Sequence, residues 1–126
     1  MTKLLDEKLI LVTGAARGLG ALFCQAIGAA GGTVLALGRD EAALAKMVAE
    51  LPGKGHEIIV ADVTDSEAVA NQLKGLCFDG LVNNAGVAMS AALITSDEDE
   101  VRRVIDTNFL GSLWTLQAAV PALKAS

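Results

Sequence analysis

The chain has 126 residues, 52% of them hydrophobic and 20% charged, which excludes a disordered polypeptide and suits one domain burying roughly two-thirds of its unfolded surface. A net charge of −5 and a pI near 4.7 exclude a general nucleic-acid surface. No apolar run approaches the roughly 18 residues that span a membrane, and the start MTKLLDEKL is unlike a signal peptide, so a cytoplasmic protein with no membrane partner is expected.

In chain order, the run Lys8–Val12 is short, apolar and β-prone, and predicts a buried strand. The stretch TGAARGLG follows, then a helix whose Leu22, Phe23, Ala26 and Ile27 share one face and which Gly31 and Gly32 stop. TVLAL predicts a second strand. Arg39 and Asp40 then open a helix bearing Leu44, Met47, Val48 and Leu51, ended by Pro52 and Gly53. HEIIVADV predicts a third strand, with His56 as an exposed spacer at its start. Thr64 or Asp65 caps the next helix, which places Ala68, Val69, Gln72 and Leu73 at helical spacing. GLVNNAG is a fourth short strand running into a turn, and the loop VAMSAALITS comes after it.

Ser96 ahead of the acidic run Asp97 to Glu100 predicts a capped helix N-terminus. That helix reaches towards Lys124 with a weak point near Gly111, and Trp114 on it fills core or interface space. Strand alternating with helix predicts a single α/β domain over residues 1–126, a parallel sheet between two helical layers. Cys24 and Cys77 lack CxxC spacing and read as reduced, half-buried thiols, and no metal site is expected.

The motif Thr13-Gly14-x-x-x-Gly18-x-Gly20 sits between a predicted strand and a predicted helix, the setting of a Rossmann-like dinucleotide loop. Gly14 permits the turn out of the strand, Gly18 leaves room for a pyrophosphate, and Gly20 lets the helix pack close to the sheet. Ala16, Arg17 and Leu19 complete the loop. No Gly-Lys-Ser/Thr follows, which disfavours the phosphate loop of nucleotide triphosphatases.

The end of the second strand, where a carboxylate selects NAD and an arginine accommodates NADP, reads Gly38-Arg39-Asp40. Arg39 takes the basic role, Asp40 an N-cap, and Arg17 can reach the same phosphate. NADP is therefore favoured over NAD. The alternative is that both arginines are solvated surface charges, with cofactor binding weak or lost.

TGxxxGxG, then Asp62-Val63, then Asn83-Asn84-Ala85-Gly86 make the sequence resemble the short-chain dehydrogenase/reductases over nearly its whole length. The resemblance implies that Asp62 meets the adenine amino group and Val63 flanks the ring. It implies that Asn83, Asn84, Ala85 and Gly86 shape the central sheet and the cofactor's floor. It sets Arg17 and Arg39 where NADP-preferring members carry basic residues. Within Asp106 to Gly111, Asn108 matches the asparagine of the catalytic tetrad, which holds a water and the catalytic lysine in a proton relay. On the residues alone, Asp62 can instead cap a turn, and Asn83 and Asn84 can satisfy loop backbone groups.

The family's chemistry also uses a tyrosine four residues before a lysine, and a serine that orients the substrate carbonyl. The chain contains no tyrosine; Lys124 has no such partner, and Ser90, Ser96, Ser112 and Ser126 are not at the serine's position. Loss of the general acid alone implies about 10²–10⁴-fold slower turnover. No dehydrogenase turnover is expected from these residues by themselves.

The resemblance further implies an incomplete sheet of order 3-2-1-4 with the fourth strand at an edge. The last helix carries Val101, Val104, Ile105, Leu110, Leu113, Trp114, Leu116 and Val120, more apolar surface than one face of a half-sheet hides. A homodimer covering both is expected, with a complementing C-terminal half as another partner. A nucleotide-sensing or partner-binding module, or a self-assembling fragment with an empty cofactor site, are the non-catalytic alternatives.

Overall fold

Alternation of apolar residues along the first two strands decides the layering. The computed structural model describes residues 2–88 and 92–126; Ser90 lies outside them. Strand β1 (Leu9–Thr13) pairs in parallel with β2 (Thr33–Gly38), Leu11 opposite Leu35. Successive side chains on a strand point to opposite faces. Leu11, Leu35 and Leu37 therefore enter one core, and Val12, Val34 and Ala36 enter the other.

Helices α1 (Gly18–Ala29) and α2 (Glu41–Ala49) cover the second core with Cys24, Ile27, Leu44 and Met47. Helices α3 (Ser66–Leu73) and α5 (Gly111–Lys124) cover the first with Val69, Leu73, Ala119 and Ala122, together with Phe78 from the connection into β4. The remaining strands are β3 (Glu57–Val60) and β4 (Gly80–Val82), and the order is β3-β2-β1-β4, all parallel. This is the expected Rossmann-like three-layer arrangement, with β4 at an edge.

Several local expectations are corrected. The helical face Leu22, Phe23, Ala26 and Ile27 is not the buried one: Leu22, Phe23 and Ala26 are exposed, and Gly20, Cys24, Ile27 and Gly28 are the buried residues of the helix. Two positions of that face admit only glycine: a Cβ on Gly20 would meet the Gly14 carbonyl oxygen, and one on Gly28 would stand 2.8 Å from Pro52 O, while Cys24 and Ile27 supply the apolar contact. Ser96 is not the cap of helix α4 (Glu98–Ile105): Asp97 accepts from Glu100 N at 2.8 Å, while Ser96 Oγ donates to Ala92 O. Asp65, rather than Thr64, caps α3.

His56 is no spacer. Its ring bridges Val34 N, which donates to Nδ1 at 3.0 Å, and Pro52 O, 2.7 Å from Nε2, tying the turn after α2 to the start of β2. Trp114 is half-buried. The weak point foreseen near Gly111 is a π-helical turn, Asp106–Leu110, between α4 and α5. No helix among the described residues is long and apolar enough to cross a membrane.

The cysteines differ rather than sharing a half-buried state: Cys24 is buried and Cys77 exposed, and neither is in a disulfide. Burial pushes the Cys24 thiol up from 9.0 to about 11. Between those values the unfolded chain has shed a proton that the folded chain keeps. The contribution is therefore full below about pH 9 and is lost as pH rises towards about 11. An aromatic disulfide reagent at pH 8 should titrate one thiol in the native protein and two after denaturation. Cys24→Ala should flatten the fall in urea midpoint between pH 8.5 and 10.5.

Candidate functional site

Parallel strands end on one side of the sheet, and the C-terminal ends of β1, β2, β3 and β4 bound a single cavity of about 1280 Å³. Open α/β sheets bind ligands in this crevice. The volume exceeds the roughly 300–1,000 Å³ usual for small-molecule sites, so an extended ligand is admitted.

The floor is built by stitching the ends of β1 and β4 together. Thr13 is fully buried, and its Oγ1 accepts from both Asn84 N and Ala85 N at 2.9 Å. Asn84 Nδ2 returns longer bonds of 3.4 Å to Thr13 O and Gly14 O. The approach is so close that a Cβ on Gly14, whose φ is +59°, would stand 2.9 Å from Ala85 Cα. On Gly20 a Cβ would meet the Gly14 carbonyl oxygen, so the third glycine serves contact between α1 and the loop itself. Gly18 shares the left-handed φ of +59°, but a Cβ there meets nothing within 4 Å. The room expected beside it exists.

Helix α1 begins without a side-chain cap and with no acidic residue in its first turn. Its leading N–H groups are thus left for an anion.

At the end of β2, Arg39 is exposed and lines the cavity, without an ion pair among the described residues. Arg17, also lining it, lies 3.2 Å from Asp40. At the end of β3, Asp62 and the buried Val63 line the wall. Asp62 Oδ1 accepts from Thr64 N at 2.9 Å and from Thr64 Oγ at 2.8 Å, so the turn-capping duty is present alongside the lining position. Asn84, Ala85 and Gly86 complete the floor.

Of the residues singled out in the sequence, Gly14, Ala16, Arg17, Leu19, Arg39, Asp62, Val63, Asn84, Ala85 and Gly86 line the cavity. Thr13, Gly18, Gly20 and Asn108 do not. Thr13 and Gly20 hold the frame instead. Asn108 sits in the π-helical turn and forms a strand-like pair with the loop after β4: Nδ2 donates to Val87 O at 2.8 Å, and Oδ1 accepts from Val87 N at 2.7 Å. Arg103 adds a bond to Ala88 O. Asn83 is exposed and donates to Ser112 O, which ties the same loop to α5.

Sequence reading missed other lining residues. Leu37, Gly38 and Ala61 belong to strand ends, and the rule that ligands gather there could have named them. Val87 directly follows the Asn83 to Gly86 motif, whereas Thr107 carries no such signal, since it sits in the π-helical turn far along the chain. Among the described residues no cluster of three or more His, Cys, Asp or Glu side chains could hold a metal.

The short chain dehydrogenase family model matches residues 8–126. A trans-4-hydroxycyclohexanecarboxylate dehydrogenase of Sinomonas cyclohexanicum is 39% identical over 133 residues, covering 95% of this chain and 51% of that protein. An uncharacterized oxidoreductase of Staphylococcus saprophyticus is 31% identical, covering 94% of this chain and 54% of that protein. Serine dehydrogenase from Escherichia coli superposes with a TM-score of 0.83 at 30% identity, over 91% of this chain and 56% of that one. A metagenomic short-chain oxidoreductase in complex with NADP superposes with a TM-score of 0.82 at 32% identity, over 96% and 58%. The chain thus spans about half the length of the curated relatives it matches. With three spaced motifs, a shared sheet order and a family match from Lys8 to the last residue, the chain belongs to the short chain dehydrogenase family.

Proposed function

We propose that these residues bind NADP(H) through its adenosine and pyrophosphate half, and that by themselves they do not carry out hydride transfer. The observation that carries the cofactor choice is Arg39, exposed at the end of β2, lining the cavity and without an ion pair among the described residues. A guanidinium so placed suits a phosphate on the 2′-oxygen of the ribose, and Arg17, 3.2 Å from the neighbouring Asp40, lines the same cavity. The uncapped start of α1 suits the pyrophosphate, and Val63 and Asp62 suit the adenine. The nicotinamide end would supply the hydride chemistry in a complete site. The absence of any tyrosine supports the lack of turnover in these residues alone. An exposed free thiol, Cys77, agrees with a reducing compartment such as the cytoplasm.

Calorimetric titration with NADP and NAD tests the reading. Arg39→Ala should weaken NADP by about ten- to a hundredfold, the worth of a charge-assisted bond of about 1.5–3 kcal/mol, and should change NAD far less. Equal loss for both nucleotides, or no binding by either at millimolar concentration, would refute it.

A second reading, self-association, has its own support. Among the described residues β4 has a strand on one side only and carries no lysine or proline, and Leu113, Leu116 and Val120 on α5 are exposed. The expected result is a dimer by light scattering at micromolar concentration, dissociated by Leu116→Lys. A C-terminal polypeptide that completes the sheet would compete for the β4 edge.

A further inference from the structure

At the end of the sheet opposite the cavity, the half-buried imidazole of His56 closes the connection between α2 and β3 against the start of β2. Its partners fix the state of the ring. Val34 N donates to Nδ1 at 3.0 Å, so Nδ1 presents a lone pair. Nε2 lies 2.7 Å from Pro52 O, and a carbonyl oxygen only accepts, so Nε2 carries the proton. Both bonds exist together only in the neutral ring. A second proton would sit on Nδ1 and face the Val34 N–H, donor against donor.

The charged groups around the ring are of both signs, and none is paired with it. Glu50 and Lys54 stand on the same connection, and Glu57 follows on β3. Lys3 and Asp6 come from the N-terminal turn, where they line a small recess with Pro52, Gly53 and Lys54. Asp6 is engaged by Lys3 N at 2.8 Å. Helix α1 meets Pro52 with Gly28, and β2 begins with Thr33 and Val34, all uncharged. Among the described residues no ion pair includes His56.

We propose that His56 is a pH-sensitive latch: the neutral ring holds the connection after α2 to β2, and protonation of Nδ1 releases it. Among the described residues β3 is an edge strand with β2 as its neighbour, Glu57 opposite Leu35. The segment set free is therefore residues 52–56 and the start of β3. An imidazole in an unfolded chain takes up its second proton at about pH 6.5. The unfolded chain does so without loss, whereas the folded turn gives up the Val34 bond. The latch is therefore closed above that range and opens as pH falls below it.

Amide exchange followed by NMR tests it, with Val34 N–H as the reporter and the amides that pair β1 with β4 as the internal control. From pH 8 to pH 5, after correction for intrinsic exchange, Val34 should lose about five- to tenfold in protection relative to the control, the worth of one net hydrogen bond. His56→Asn should show no such loss, because the asparagine oxygen can stand in for Nδ1 as acceptor and does not titrate. Ring nitrogen–proton correlations of the wild type should show the Nε2–H tautomer at pH 8. They should show Nδ1 gaining its proton over the same pH range in which Val34 loses protection. An equal loss in His56→Asn, no loss in the wild type, or an Nδ1–H tautomer at pH 8 would overturn the latch. The wild-type spectra decide the matter even where the variant fails to fold.

Discussion

Thr13→Val is expected to lower the free energy of unfolding by about 2–4 kcal/mol, although valine has nearly the same volume. The reason is a mismatch of partners. Asn84 N and Ala85 N, both part-buried, donate to the single Thr13 hydroxyl, and valine leaves them without an acceptor where water has little access. Each such orphaned donor costs about 1–3 kcal/mol, and the two share one site, so the sum is not doubled. A loss of this size lowers Tm by about 10 °C in a domain of this length. Thr13→Ser keeps the oxygen and should cost only about 1 kcal/mol for the buried methyl. Urea or thermal unfolding of the two variants checks it. Equal losses for valine and serine would mean that Thr13 acts by packing and not through its hydroxyl.

Gly20→Ala should destabilise by about 3 kcal/mol or more, against the usual sense of that exchange. In a solvent-facing helix the same change stabilises by about 0.5–1 kcal/mol. Here the added Cβ meets the Gly14 carbonyl oxygen and approaches Asn84 Nδ2 to 2.8 Å. The obstacle is chiefly backbone, so no rotamer change relieves it, and α1 must withdraw from the loop that shapes the cavity. Gly18→Ala is the natural comparison. It pays the left-handed φ but meets no atom, and about 1–2 kcal/mol is expected. Unfolding measurements should therefore rank Gly20→Ala above Gly18→Ala. The reverse order would show that the third glycine is not held at close contact in solution.

The two substitutions also separate frame from ligand. Thr13 and Gly20 do not line the cavity, yet both govern how β1, α1 and the segment after β4 meet. Their variants should lose stability and nucleotide affinity together. Arg39→Ala, on an exposed side chain, should lose affinity for NADP with the melting temperature nearly unchanged.

Much of this was legible in the order of residues. Apolar runs bounded by glycine and proline set out the strands and helices, because burial on both faces demands continuous apolar strands and tight turns demand glycine. The motif TGxxxGxG, Asp62-Val63 and Asn83 to Gly86 identified the strand ends that bound the cavity, since each is a short segment whose role depends on its own strand. Arg39 was legible for the same reason: its place follows from one strand ending where it does.

What tertiary structure alone decided were the matters of distance between elements far apart in sequence. The buried face of α1 went to Gly20, Cys24, Ile27 and Gly28 and not to Leu22 and Phe23, because Gly20 lies against the Gly14 carbonyl and Gly28 against Pro52, contacts invisible in a periodicity. His56 became a bridge because Pro52 and Val34 converge on it. Asn108 spends its amide on Val87, and Thr107 reaches the cavity, because the helix swells into a π turn at that point. The pairing of Arg17 with Asp40, 23 residues away, likewise exists only once β1 and β2 lie side by side. A sequence records what each residue can do; which of several possible partners it meets depends on packing, and packing is a property of the whole chain.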